Sequence, residues 1–365
     1  MRLIAALLLG IAAMFAVASA GHTMPPPDRI AALARGINIT NWFRYPPRVD
    51  VAGLRAYLDD RSIAGLRGAG FTFVRLSVQP ELLESEPARL GVLIEAIQRL
   101  QHAGLAVMVE PHPATWNLEQ SVGDRTRLLA FWHHVAPALR PLDPRLTFPE
   151  ILNEPVFPGA PGEWEALQMQ ALAAIRAVLP RATVVLTGAD WGGVDGLSAL
   201  HPSVDPNVIY SFHFYEPTEL TALAAYRPGL DRAALGRLPF PMDPASCREA
   251  AVSAIDSATR DLITFVCSLH WDTNRIDDRI DLAAAWGRAN HAVVLLGEFG
   301  AARNLNATAR LGWLATVRRA CEARGIGWAL WGYDDSMGFG INPRVFPPAA
   351  MDRATLTALG LTPGK

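Results

Sequence analysis

Short apolar runs alternate along this chain with longer stretches whose apolar residues recur at helical spacing, and the alternation holds from about residue 36 to residue 331. The pattern predicts strands at 36–39, 71–77, 105–110, 148–155, 183–187, 208–213, 292–300 and 326–331. Helices are predicted at 62–67, 88–102, 125–139, 162–179, 276–289 and 307–323. The 88–102 stretch shows the basis: Leu90, Leu93, Ile94, Ile97 and Leu100 share one face, and Gly104 stops the helix. Eight strands, nearly all followed by a helix, argue for a parallel sheet with crossover helices, and at this length for a closed (β/α)8 TIM barrel. One long proline-rich connection, 216–274, interrupts the rhythm after the sixth strand. No glycine-rich loop follows the first strand, which argues against a nucleotide-binding doubly wound fold.

Composition sharpens this reading. Half of the 365 residues are hydrophobic, enough for one large core, and no break in composition marks a second domain. The net charge is −2, which speaks against nucleic acid as a partner. Residues 1–20 read as a signal peptide: Arg2, an apolar run from Leu3 to Val17, and Ala18-Ser19-Ala20 before Gly21. The mature protein, 21–365, is then expected to be a secreted or periplasmic monomer with no stable membrane association. Export permits disulfides. Cys247 and Cys267 both fall in the long connection and are expected to pair, while Cys321 sits on an apolar helical stripe with Leu311, Leu314 and Val317. No cysteine cluster suggests a metal, and no cofactor is expected.

The chemistry is predicted where strands end. The run 148–155, Phe-Pro-Glu-Ile-Leu-Asn-Glu-Pro, places Asn153 and Glu154 at or just past the last ladder position before a proline stops the strand. The run 292–300 ends in the same way, in Gly-Glu298-Phe-Gly. In a barrel the C-terminal strand ends form one rim, and that rim also receives Arg75, His112, His213, Tyr215 and Trp331. Taken singly, Arg75 could be a structural ion-pair partner, His112 a loop residue, and Tyr215 or Trp331 core aromatics. Glu154 and Glu298 are harder to dismiss, because a carboxylate closing an apolar strand is costly to desolvate unless paired or used. Two such carboxylates facing each other suit retaining hydrolysis of a glycosidic bond.

These residues resemble glycoside hydrolase family 5, the cellulase-type barrels, from Gly36 to about Gly340. The resemblance is carried by Val-Arg75-Leu, His112, Leu-Asn153-Glu154-Pro, His213-Phe-Tyr215-Glu-Pro, Gly-Glu298-Phe-Gly and Trp-Ala-Leu-Trp331. It implies Glu154 as acid/base and Glu298 as nucleophile, supported by Arg75, His112, Asn153, His213 and Tyr215, with Trp331 under a sugar ring. Glu110-Pro111 before His112 departs from the usual aspartate and aliphatic residue of the family. The implied substrate is a β-linked oligo- or polysaccharide: a β-1,4-glucan first, with mannan or a bacterial exopolysaccharide as alternatives. Trp42, Trp116, Trp191 and Trp271 follow strands and are expected along the cleft as further sugar platforms, some of them packing against loops instead. Two other classes compete. A non-catalytic glycan-binding barrel would be expected to lack a glutamate, and a metal-dependent barrel hydrolase built on His112 and His213 lacks a lysine on its fourth strand.

Overall fold

Side chains on one side of each strand pass from apolar to polar along the chain direction, and this gradient puts the chemistry at one end of the molecule. The computed structural model describes residues 24–335 and 351–362; the leader-like 1–20 lies outside them. Eight strands form one parallel sheet: β1 Arg35–Phe43, β2 Phe73–Val78, β3 Ala106–Pro111, β4 Thr147–Pro149, β5 Val184–Thr187, β6 Val208–Phe214, β7 Val293–Phe299 and β8 Gly327–Leu330. Their order is β4-β3-β2-β1-β8-β7-β6-β5, and a parallel bridge between Glu150 and Val185 joins the two edges. The fold is the expected (β/α)8 barrel.

Register sorts the side chains. Phe73 pairs with Ala106, Arg75 with Met108 and Ser77 with Glu110. Phe73, Ala106, Met108, Phe148, Val185, Ile209, Leu295 and Ala329 form a small apolar cluster of their own, the barrel floor. Two residues further along their strands stand Arg75, Glu110, Glu150 and Ser211. The intervening residues, among them Val74, Leu76, Val107, Val109 and Leu296, join the larger cluster formed with the helices. Gly36 is required where β1 passes β2, because a Cβ there would lie 2.2 Å from the Phe73 ring.

Helices 88–102 and 307–323 have the predicted bounds, and 125–139 and 276–289 start three residues earlier, at Val122 behind the Ser121 cap and at Thr273 behind Asp272. Two expectations need correction. The fourth strand is three residues long, since Pro149 cannot continue a ladder. The chain beyond it is held by single bonds, Glu150 N–H to Val109 O, Ile151 N–H to Val185 O and Asn153 N–H to Pro111 O. The long proline-rich connection after β6, in which no helix is predicted, contains helices Thr218–Thr221, Arg232–Leu235, Pro244–Ser253 and Ser257–Ser268, the last three capped by Asp231, Asp243 and Asp256. Cys247 and Cys267 form the expected disulfide between the last two helices, and Cys321 is a buried free thiol. Among the described residues no helix is long and apolar enough to cross a membrane.

Candidate active site

Arg75 is the hub of the rim. It is wholly buried and touches three carboxylates. Its Nε and Nη2 donate to Glu150 at 2.6 and 3.1 Å, Nη1 pairs directly with Glu298, and Glu110 lies 3.7 Å away. Nη1 also donates to Asn38 and Nη2 to Asn153, each at 3.0 Å. One cation on β2 thus fixes groups from β1, β3, β7 and the chain just past β4. Asn38 is fixed in turn, its amide donating to the carbonyls of Gly297 and Leu330.

A second chain of contacts orients His112 and Asn153. The Asn153 amide nitrogen can only donate, so His112 Nε2, 2.9 Å away, is the acceptor. The ring proton is then on Nδ1 and is donated to Glu110 at 3.1 Å. Burial, and after it the charge of Arg44, hold the His112 pKa well below its usual value, so the ring is neutral. Burial pushes Glu110 up to about 7 against the pull of Arg75.

Glu298 and Glu154 converge on one ring nitrogen of His213. His213 Nδ1 is 2.9 Å from Glu154 and 3.6 Å from Glu298. The Tyr215 hydroxyl donates to Glu298 at 2.9 Å. Burial would raise the Glu298 pKa, but His213 and then Arg75 outweigh it and hold the carboxyl below its usual value. Burial likewise acts to lower His213, and Glu298 and Glu154 reverse that, leaving its pKa raised. Burial, then the charge of Glu298, keep the Tyr215 phenol protonated far above neutral pH, which makes it a permanent donor. The backbone permits the close approach: a Cβ on Gly297 would meet Ser211 Oγ at 2.2 Å and His213 Nε2 at 3.3 Å. Glu154 itself has φ of 40°, in the left-handed region, and is tied down on both sides by Asn153 and Pro155. One oxygen or nitrogen each from Glu154, His213 and Glu298 lie within 4.8 Å of one another, close enough to act on one atom, or to ligate one cation.

A family model for cellulase, glycosyl hydrolase family 5, matches residues 38–336. The chain belongs to glycosyl hydrolase family 5. It is 30% identical to endoglucanase 3 of Fibrobacter succinogenes over 211 residues, 55% of this chain and 32% of that one. It is 21% identical to endoglucanase H of Acetivibrio thermocellus over 322 residues, 86% of this chain and 31% of that one. The chain therefore spans about a third of the length of these two relatives. In structure it is similar to endoglucanase Cel5A of Thermotoga maritima, with a TM-score of 0.73 and 25% identity over 92% of this chain and 100% of that one.

Within this family 5 barrel the eight rim residues expected from the sequence, Arg75, His112, Asn153, Glu154, His213, Tyr215, Glu298 and Trp331, belong to one neighbourhood. Trp331 is only 4% exposed, its ring centroid 6.1 Å from that of His112. The outer tryptophans divide. Trp191 is 59% exposed in a loop whose amides at 190 and 191 donate to Val156 and Pro155, just after Glu154. Trp116 is half-buried with Arg127 over its ring at 5.0 Å. Trp42 is a correction: it is 0% exposed, donates to Leu54 O at 2.8 Å and stacks on Phe43 and Tyr57, because β1 continues through it into the core. Trp271 is buried as well, in the base of the insertion beneath Arg275, and presents no face to a sugar.

Glu110, Glu150 and Asn38 are the parts of the site that sequence reading missed. A signal existed, since Glu150 stands two residues after Phe148 and Glu110 two before His112, the spacing that keeps one side of a strand.

Proposed function

We propose that this family 5 barrel hydrolyses a β-linked glycan, first a β-1,4-glucan, with retention of configuration. Glu154 serves as acid/base and Glu298 as nucleophile. The observation that carries the reading is the unequal surroundings of two adjacent carboxylates. Glu298 is ion-paired and hydrogen-bonded, as a group that must attack while charged requires. Glu154 lies against His213, which can pass a proton to or from it. An oxygen of each carboxyl lies within 4.8 Å of one of the other, which supports direct attack over an inverting mechanism, whose carboxyls stand about 6.5–9.5 Å apart. Asn153, locked between Arg75 and His112, keeps one amide proton for a sugar hydroxyl, and Trp191 offers a platform beyond Glu154. Export through the 1–20 leader fits the Cys247–Cys267 disulfide.

The test is hydrolysis of soluble β-1,4-glucan and mannan with the product anomer followed by NMR. The β-anomer should appear first, and Glu154→Gln and Glu298→Ala should each lose at least about 10³-fold in kcat while keeping the wild-type circular dichroism. Near-wild-type rates in either variant would refute the assignment. A second reading comes from the Glu154–His213–Glu298 triplet, whose spacing could hold a divalent cation. A chelator should leave the rate unchanged; loss restored by added metal would favour metal-assisted hydrolysis instead.

A further inference from the structure

Arg44 follows the last residue of β1 and so stands on the rim where substrate would enter. Its guanidinium carbon lies 4.6 Å from the ring centre of Tyr45, which is exposed, and 6.0 Å from that of Trp331. Several other arginines find acids: Arg55 pairs with Glu95, Arg99 with Asp60, and Arg279 with Glu216 and Asp195. Arg44 does not. Among the described residues it has no ion-pair partner, and its buried Nε has no hydrogen-bond acceptor. A buried cationic N–H left unpaired is expensive, and at the mouth of a binding cleft a ligand is the natural acceptor.

We propose that Arg44 receives an anionic substituent, a carboxylate of the uronic-acid type, on the sugar ring bound beside Trp331. The inference rests on the reading of this rim as a glycosidase site. A guanidinium stacked by its face on an aromatic ring keeps its in-plane donors for a partner, and a carboxylate accepts two of them in parallel. A neutral sugar hydroxyl would need no charge opposite it. The charge also helps, because the ionised nucleophile Glu298 repels an acidic substrate and Arg44 offsets that repulsion on the β1–β8 side. The guanidinium lies over the Trp331 indole. A sugar taken onto the indole moves the flexible arginine stem to its own edge, where the acid group meets it.

The experiment uses β-1,4-linked gluco-oligosaccharides of equal length, neutral or oxidised at C6 to glucuronosyl units, at low and high salt. In the wild type kcat/KM should favour the acidic series at low salt, and added salt should erode the preference. Arg44→Gln should reduce the acidic-to-neutral ratio about tenfold, and Arg44→Lys should recover part of it. An unchanged ratio in Arg44→Gln overturns the proposal, as does an equal loss on both series, which would mark a hydroxyl contact. If the wild type cleaves neither series, the glycosidase reading fails by itself. Calorimetric binding of the acidic oligosaccharide then decides the role of Arg44, with weaker binding to Arg44→Gln supporting it and equal binding overturning it.

Discussion

Replacing Glu150 by Gln tests whether Arg75 is held chiefly from β4. The side chain keeps its volume but loses its charge and turns one acceptor into a donor that faces a guanidinium. Glu150 accepts two bonds from Arg75, at 2.6 and 3.1 Å, where neither side chain reaches solvent. Breaking a buried ion pair costs about 3–5 kcal/mol. The lower end applies here, because Arg75 keeps Glu298 and Glu110, and because removing Glu150 relieves its repulsion with Glu110. An unfolding entropy of ~2.1 cal/mol/K per residue over 365 residues gives ~0.8 kcal/mol/K, so a loss of ~3 kcal/mol lowers the Tm by ~4 °C. Activity should fall as well, since Arg75 also aligns Glu298 and Asn153. Scanning calorimetry and kcat/KM on a soluble glucan read both effects. A variant with wild-type Tm and wild-type kcat/KM would show that Arg75 does not depend on Glu150, and the hub would have to be redrawn around Glu298.

Tyr215→Phe removes a hydrogen bond that lowers the Glu298 pKa, so Glu298 becomes protonated at higher pH. The acidic limb of the kcat/KM profile should therefore move up by about one unit; a limb that stays put or moves down would show that Tyr215 does not stabilise the charged form. Trp191→Ala should raise KM for long glucans while leaving that for the shortest hydrolysed oligosaccharide near wild type, and an equal effect on all lengths would remove it as an outer platform. Reducing the Cys247–Cys267 bridge, or replacing both cysteines by serine, opens a connection of 20 residues and should cost about 3 kcal/mol in thermal or denaturant unfolding. Unchanged stability would mean that the insertion helices hold without it.

What could be read from the chain and what could not follow from one physical distinction. Barrel strands and flanking helices announce themselves by period and by stop residues, so the eight-strand order and helices such as Ala88–His102 were legible in advance. Rim residues were legible where a polar side chain closes an apolar run, as Glu298 does after Leu295 and Leu296. Glu150 was not, because it sits inside such a run and reads as part of it until its two-residue offset from Phe148 is set against that of Arg75 from Phe73. The tryptophans failed for a different reason. Trp42 and Trp191 both follow or close a strand, yet one indole donates to Leu54 O in the core and the other is 59% exposed. The separating fact is where β1 ends, at Phe43, beyond the predicted strand, while β5 stops at Thr187 and the chain turns left-handed through Asp190, Trp191 and Gly192. An indole still on the sheet is packed by the helices that cover it, and one thrown out by a left-handed turn meets solvent or a ligand. Arg44 is the same case in miniature. It lies one residue beyond β1, where the sheet no longer supplies its partners, and its charge is left without an ion-pair partner among the described residues.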